Sequence, residues 1–193
     1  GSTVSQSFFG NGLSLEGAGC QFLNNTARVL WSRGGGQQIT GNHLGVDAAG
    51  TAALTGMTVF SGGLRVVSGG GNQVRDNVIL YGVSLESDDN VFRGNFVGTN
   101  AAGAAALGSR TVRVSGDRNQ LIGNVISGSG DGIDVHGTLT RIEGNKIGTD
   151  VSGSRKLGAD DGNGVTLDGD TNTVGGTTAA ARNVISGNEV GVL

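Results

Sequence analysis

Few side chains in this chain can do acid–base or ligand chemistry, and fewer share a spacing. Asp134 and His136 stand two apart in Ile133-Asp134-Val135-His136, as do Thr166 and Asp168 in Val165-Thr166-Leu167-Asp168. Alternation of apolar and polar residues marks both segments as strands with one buried face. Side by side in register, they would set His136 beside Asp168, with Asp134 and Asp168 as diagonal neighbours. One strand earlier, Arg113 in Val112-Arg113-Val114 would stand beside Asp134. Two carboxylates about 5 to 10 Å apart, one protonated and one ionised, are what glycoside hydrolysis needs, and His136 is an alternative proton carrier. Asp134, His136 and Asp168 are therefore the catalytic candidates. The simpler explanation is that opposite charges on neighbouring strands pair with each other.

A second set of carboxylates offers hard oxygen ligands for Ca²⁺: Asp47, Asp150, Asp160 and Asp161. Asp47 and Asp150 occupy the same place in a recurring phrase, but its middle copy carries Asn100 there. Asp and Asn that cap their own turns explain the phrase without a metal. The chain therefore implies no cofactor, with Ca²⁺ as the weaker alternative.

These residues are placed by a repeat. A polar residue, an apolar residue two later and Asn five later recur as Cys20, Phe22, Asn25; Gln37, Ile39, Asn42; Asn72, Val74, Asn77; Asn90, Phe92, Asn95; Asn119, Leu121, Asn124; and Thr140, Ile142, Asn145. A seventh copy starts at Asn172 and Val174 and reaches Asn183 after an insertion. Two positions beyond these Asn residues stand Ala27, Leu44, Ile79, Val97, Ile126, Ile147 and Ile185. Three short strands per repeat cannot bury their apolar edges alone, so each coil must stack on its neighbours. The expectation is a parallel solenoid of about seven coils in one domain spanning 1–193. Asn25, Asn42, Asn77, Asn95, Asn124, Asn145 and Asn183 would form an internal ladder, their amides bonding the turn backbone and tolerating left-handed φ/ψ.

Every second coil is longer by one phrase: Gly45-Val46-Asp47-Ala48-Ala49-Gly50, Gly98-Thr99-Asn100-Ala101-Ala102-Gly103 and Gly148-Thr149-Asp150-Val151-Ser152-Gly153. These loops should project from one corner of the rod. The alternating strands give inward pairs Leu13/Leu15, Val29/Trp31, Leu64/Val66, Val83/Leu85, Val112/Val114, Ile133/Val135 and Val165/Leu167. Their outward positions then form two columns, Ser14, Leu30, Arg65, Ser84, Arg113, Asp134, Thr166 and Glu16, Ser32, Val67, Glu86, Ser115, His136, Asp168. From these come the ligand-binding candidates Arg65, Glu86, Arg113, Asp134, His136 and Asp168. Trp31 counts as core in this register, and as a sugar-stacking platform if the second coil slips by one residue.

Composition agrees with many strands and tight turns: 39 Gly, no Pro and 4% aromatic residues. Proline-free sequence without a Gly-X-Y period excludes collagen. A net charge of −3 without any Lys/Arg cluster argues against nucleic acid as a partner. No apolar run approaches the roughly 20 residues of a membrane helix, and no signal peptide is evident. Gly1-Ser2 reads as a cloning remnant, and both ends read as internal points of a longer protein. Bare coil edges at the ends would promote end-to-end self-association.

Asn124–Gly128 (NVISG), Ile147–Asp150 (IGTD) and the stretch GGTTAAARNVISGN ending at Asn188 resemble the right-handed parallel β-helix repeats of bacterial surface and secreted proteins in the pectin-lyase-like superfamily. The resemblance implies a right-handed helix and an extracellular or cell-surface setting. The functional expectation is a noncatalytic scaffold, adhesin-like or polysaccharide-binding. The alternatives are a polysaccharide lyase or glycoside hydrolase working around Asp134, His136 and Asp168, and a self-associating structural repeat. Against an enzyme, the NTD, DD and GHG set of the polygalacturonase type is absent, and Arg113 has only Asp134 close by.

Overall fold

A computed structural model describes residues 1–55, 63–109, 111–158 and 162–193. Three parallel sheets of eight strands each run along a parallel β-helix. The first runs from Thr3–Ser5 to Thr173–Val174 and the second from Phe8–Phe9 to Val184–Ile185. The third contains Leu13–Glu16, Leu30–Arg33, Leu64–Ser68, Val83–Leu85, Val112–Val114, Ile133–Val135, Asn163–Leu167 and Val190–Val192. Eight coils are therefore present among the described residues, one more than the repeat count suggests. The extra coil is Ser2, Val4, Ser7 and Phe9, which follows the repeat phrase with Ser in place of Asn.

Each interior column stacks like side chains. On the second sheet Phe9, Ala27, Leu44, Ile79, Val97, Ile126, Ile147 and Ile185 lie above one another. On the first, Val4, Phe22, Ile39, Val74, Phe92, Leu121, Ile142 and Val174 do the same, and the members from Phe22 to Ile142 are fully buried. Small and branched side chains suffice because the three sheets leave only a narrow prism to fill, which accounts for the scarcity of aromatic residues.

All seven ladder Asn residues take part in one bonding pattern. Each Oδ1 accepts the backbone N–H at the same corner of the preceding coil, as where Asn42 N–H donates to Asn77 at 2.9 Å. Each Nδ2 donates to a carbonyl of the preceding coil, as from Asn77 to Ile39 at 2.9 Å. The sequence reading errs in one detail: the ladder Asn residues do not hold the left-handed conformation. The residue before them does, at Asn24, Gly41, Asp76, Gly94, Gly123 and Gly144.

A second ladder runs along the corner between the third and first sheets. Gln37, Asn72, Asn90 and Asn119 are fully buried. The N–H of Gln37 donates to Asn72, that of Asn72 to Asn90 and that of Asn90 to Asn119. Here too the preceding residue is left-handed, at Gly36, Gly71, Asp89 and Arg118. Cys20 and Thr140 occupy the same corner position; both are buried, and the Thr140 hydroxyl is without a hydrogen-bond partner.

The three inserted phrases fold as small antiparallel hairpins, bridged at Val46 and Ala53, Thr99 and Ala106, and Thr149 and Lys156. They stack on one another through Ala101 N–H to Gly50 O and Val151 N–H to Gly103 O. A hairpin is two strands wide, about 10 Å, which is the height of two coils. That equality explains why the insertions come at every second coil. Beneath them Val46, Val78 and Leu80 form a small separate core.

Candidate functional site

The outward face of the third sheet carries the predicted cluster, and its strands set the spacing. Ile133, Val135, Val112, Val114 and Val165 are fully buried and pin their strands to the interior. The residues between them have to face outward. Arg113 pairs in register with Asp134, and Asp134 with Thr166.

The geometry is a connected chain of four groups. The Arg113 Nε donates to Asp134 Oδ2 at 3.0 Å. The other Asp134 oxygen, Oδ1, lies 3.1 Å from His136 Nε2, and the ring's Nδ1 lies 3.1 Å from Asp168 Oδ2. His136 thus bridges the two carboxylates across adjacent strands. The carboxylates differ in surroundings: the Asp134 side chain is 14% exposed and that of Asp168 is 59% exposed. Parallel stacking brings together the four predicted residues Arg113, Asp134, His136 and Asp168.

Further along the face, Arg65 forks onto Glu86 Oε1 through Nε at 3.0 Å and Nη2 at 2.6 Å, and Ser84 also donates to this carboxylate. Arg65 and Glu86 thus form their own pair, separate from the Arg113 to Asp168 chain.

The second coil corrects the sequence reading. Leu30 pairs with Leu13 and with Leu64, so Leu30 and Ser32 point inward, both fully buried, while Trp31 and Arg33 lie on the outer face. Three residues, Leu80 to Gly82, separate Ile79 from the next strand at Val83. Only Arg28 and Val29 separate Ala27 from Leu30. The shorter corner reverses the faces. Inside, the Ser32 hydroxyl donates to Gln37 Oε1 at 2.6 Å, which makes the polar residue tolerable in the core. The register shifts again between Ser32 and Arg33, opposite Val66 and Ser68, and Val67 is the extra residue of that bulge rather than a member of the outer column. Trp31 is half-buried. Its six-membered ring lies so close to Gly12 that a Cβ there would come within 2.2 Å of it, so the indole packs against the neighbouring coil where only glycine leaves room. It stands in register between Ser14 and Arg65. The alternation of Val29 and Trp31 hid this residue; the signal that finds it is the length of the corner before it.

Among the described residues, the Ca²⁺ candidates Asp47 and Asp150 each close their own loop. Asp47 Oδ1 accepts from Thr51 and Ala52 N–H, and its Oδ2 from the Thr51 hydroxyl. Asp150 Oδ1 accepts from the Ser152 hydroxyl and from Ser154 and Arg155 N–H. Asn100 caps its loop in the same way through Ala104 and Ala105. These bonds hold the Asp47 carboxyl below its ordinary range, through Thr51 first, and the Asp150 carboxyl likewise through Ser152. Asp47 spends both oxygens on closing its turn, and Asp150 spends Oδ1 while Oδ2 faces Arg155 at 4.0 Å. Asp160 and Asp161 lie outside the described residues. Among those residues, no helix is long and apolar enough to cross a membrane.

No family model matches the chain, and neither curated proteins nor solved structures yield a match. The parallel β-helix is thus the class that the architecture defines, and function has to be argued from the surface.

Proposed function

We propose that the chain is a noncatalytic β-helix scaffold of an extracellular protein whose third-sheet face binds polysaccharide. The observation that carries this is the composition of that face. Trp31 stands half-buried on it, followed on successive coils by Arg65, Glu86, Arg113 and the pair Asp134 and His136, at the coil spacing of about 4.8 Å. Saccharides are recognised by an aromatic surface beside fixed charged hydrogen-bonding groups, and this face supplies both. Rigidity of the ladders keeps such groups in place without the ordering cost of a loop site. The test is retention on affinity gels carrying neutral and acidic polysaccharides. Retardation by at least one of them supports binding; migration unchanged on all of them would reduce the role to that of a spacer.

One observation favours an enzyme instead: His136 touches two carboxylates of unequal exposure, an arrangement suited to moving a proton. Against it, both Asp134 oxygens are occupied, Oδ2 by Arg113 and Oδ1 by the neighbouring His136 ring, which leaves neither free to attack a sugar. Release of reducing or unsaturated ends from polysaccharides, abolished in Asp134→Asn, would establish catalysis and overturn the noncatalytic reading.

A further inference from the structure

The bridging histidine has a second use that the polysaccharide reading does not involve. We propose that His136 and Asp168 bind a divalent first-row transition-metal ion, with Asp134 orienting the imidazole from behind. One ligand atom from each of the three residues lies within 4.8 Å of the others.

Three features carry the inference. The first is bite distance: His136 Nδ1 and Asp168 Oδ2 are 3.1 Å apart. With metal–ligand bonds of about 2.0–2.2 Å, two donors at a right angle lie roughly 3.0 Å apart and at the tetrahedral angle roughly 3.4 Å apart. The observed separation therefore matches that of two donors sharing one ion. The second is orientation. A ligating imidazole needs its other N–H held by an acceptor, most often a carboxylate, and Asp134 Oδ1 stands 3.1 Å from Nε2. Arg113 fixes Asp134 through Oδ2 and leaves Oδ1 to the ring. The third is access: Asp168 and His136 are far more open to solvent than Asp134, so the ion approaches from the Nδ1 side and completes its shell with water.

The donor set selects the ion. A nitrogen donor paired with one carboxylate favours Zn²⁺, Ni²⁺ or Cu²⁺ over Ca²⁺ and Mg²⁺, which prefer several oxygens. Binding requires Nδ1 without its proton, so uptake of the ion releases any proton held there.

The test titrates the full chain with Zn²⁺, and separately with Ca²⁺, by calorimetry, alongside His136→Ala, Asp168→Asn, Asp134→Asn and the loop control Asp150→Asn. The expected result is one Zn²⁺ per chain. Affinity should fall roughly tenfold or more in His136→Ala and Asp168→Asn, fall less in Asp134→Asn and stay the same in Asp150→Asn. Ni²⁺ added to wild-type protein gives a readout that needs no variant. The chain has two histidines, His43 and His136, and proton NMR should show the His136 ring signals broadened at a metal concentration that spares His43. Absence of stoichiometric Zn²⁺ binding, unchanged affinity in both His136→Ala and Asp168→Asn, Ca²⁺ binding as tight as Zn²⁺, or equal broadening of the two histidines would each overturn the proposal.

Discussion

At the level of single residues, the ladder amides are the most demanding positions in the molecule. Asn77 is fully buried; it donates to Ile39 and Asn95 and accepts from Asn42, each bond 2.9 Å long. Truncation to alanine strands the Asn42 N–H in the interior, at a cost of about 1–3 kcal/mol, and removes the amide bonds to Ile39 and Asn95. Asn77→Ala is thus expected to destabilise the fold by roughly 2–4 kcal/mol, read as a lower urea midpoint. A midpoint unchanged from wild type would contradict the ladder's role. These residues were legible in sequence because a buried amide has to recur to be satisfied. A surface carboxylate makes the complementary case. Asp117 accepts the N–H and the hydroxyl of Thr138, in that order of effect, and is held below the ordinary carboxylate value of 3.8. A lowered folded value means that its stabilisation is fully present above the unfolded value and is lost as pH falls toward the folded one. Thermal stability of wild type should therefore fall below about pH 4 more steeply than that of Asp117→Asn. Parallel curves would contradict this.

Among elements, the corners decide register and stability, and the corners are where the sequence was least readable. Period-two alternation located the third-sheet strands and, through them, the contact between Arg113, Asp134, His136 and Asp168. It failed at Leu30–Arg33 because alternation carries no information on which face is inward; that is set by the two-residue corner at Arg28 and Val29 and by the bulge at Val67. The loops were legible as insertions, but their hairpin form depends on stacking across two coils, which no single phrase shows. Two substitutions test the corner pattern. Thr140 fills a ladder position with an unpartnered buried hydroxyl, and Thr140→Asn would restore the amide found at Asn119 and Asn172 on either side. It is expected to stabilise by about 1–2 kcal/mol in urea unfolding. Thr171, exposed and β-branched, holds φ of 57°. Thr171→Gly removes left-handed strain of about 1–2 kcal/mol and returns part of that as chain entropy, for a net gain of about 0.5–1 kcal/mol. Loss of stability in either variant would show that the corner pattern is misread.

For the whole molecule, stacking gives a rod roughly 34 Å long between its first and last coils, at about 4.8 Å per step. Neighbouring coils carry nearly all the contacts, so the surface is a set of columns rather than a pocket. On the second sheet the outward column packs against the hairpins through Val78 and Phe96, and on the first it carries polar pairs such as Arg141 with Glu143. On the third sheet the columns place Trp31, Arg65 and Arg113 in one outward row, with Arg65 and Arg113 two coils, about 10 Å, apart. Polysaccharide binding by this face requires that the row be the recognition surface. The measurement is the dissociation constant of any retained polysaccharide for wild type and for Trp31→Ala combined with Arg65→Ala and Arg113→Ala, with circular dichroism confirming that the fold persists. The predicted result is affinity weakened at least tenfold in the combined variant, consistent with loss of one aromatic and two charged contacts. Equal affinity in the two proteins, with the β-helix intact in both, would contradict it.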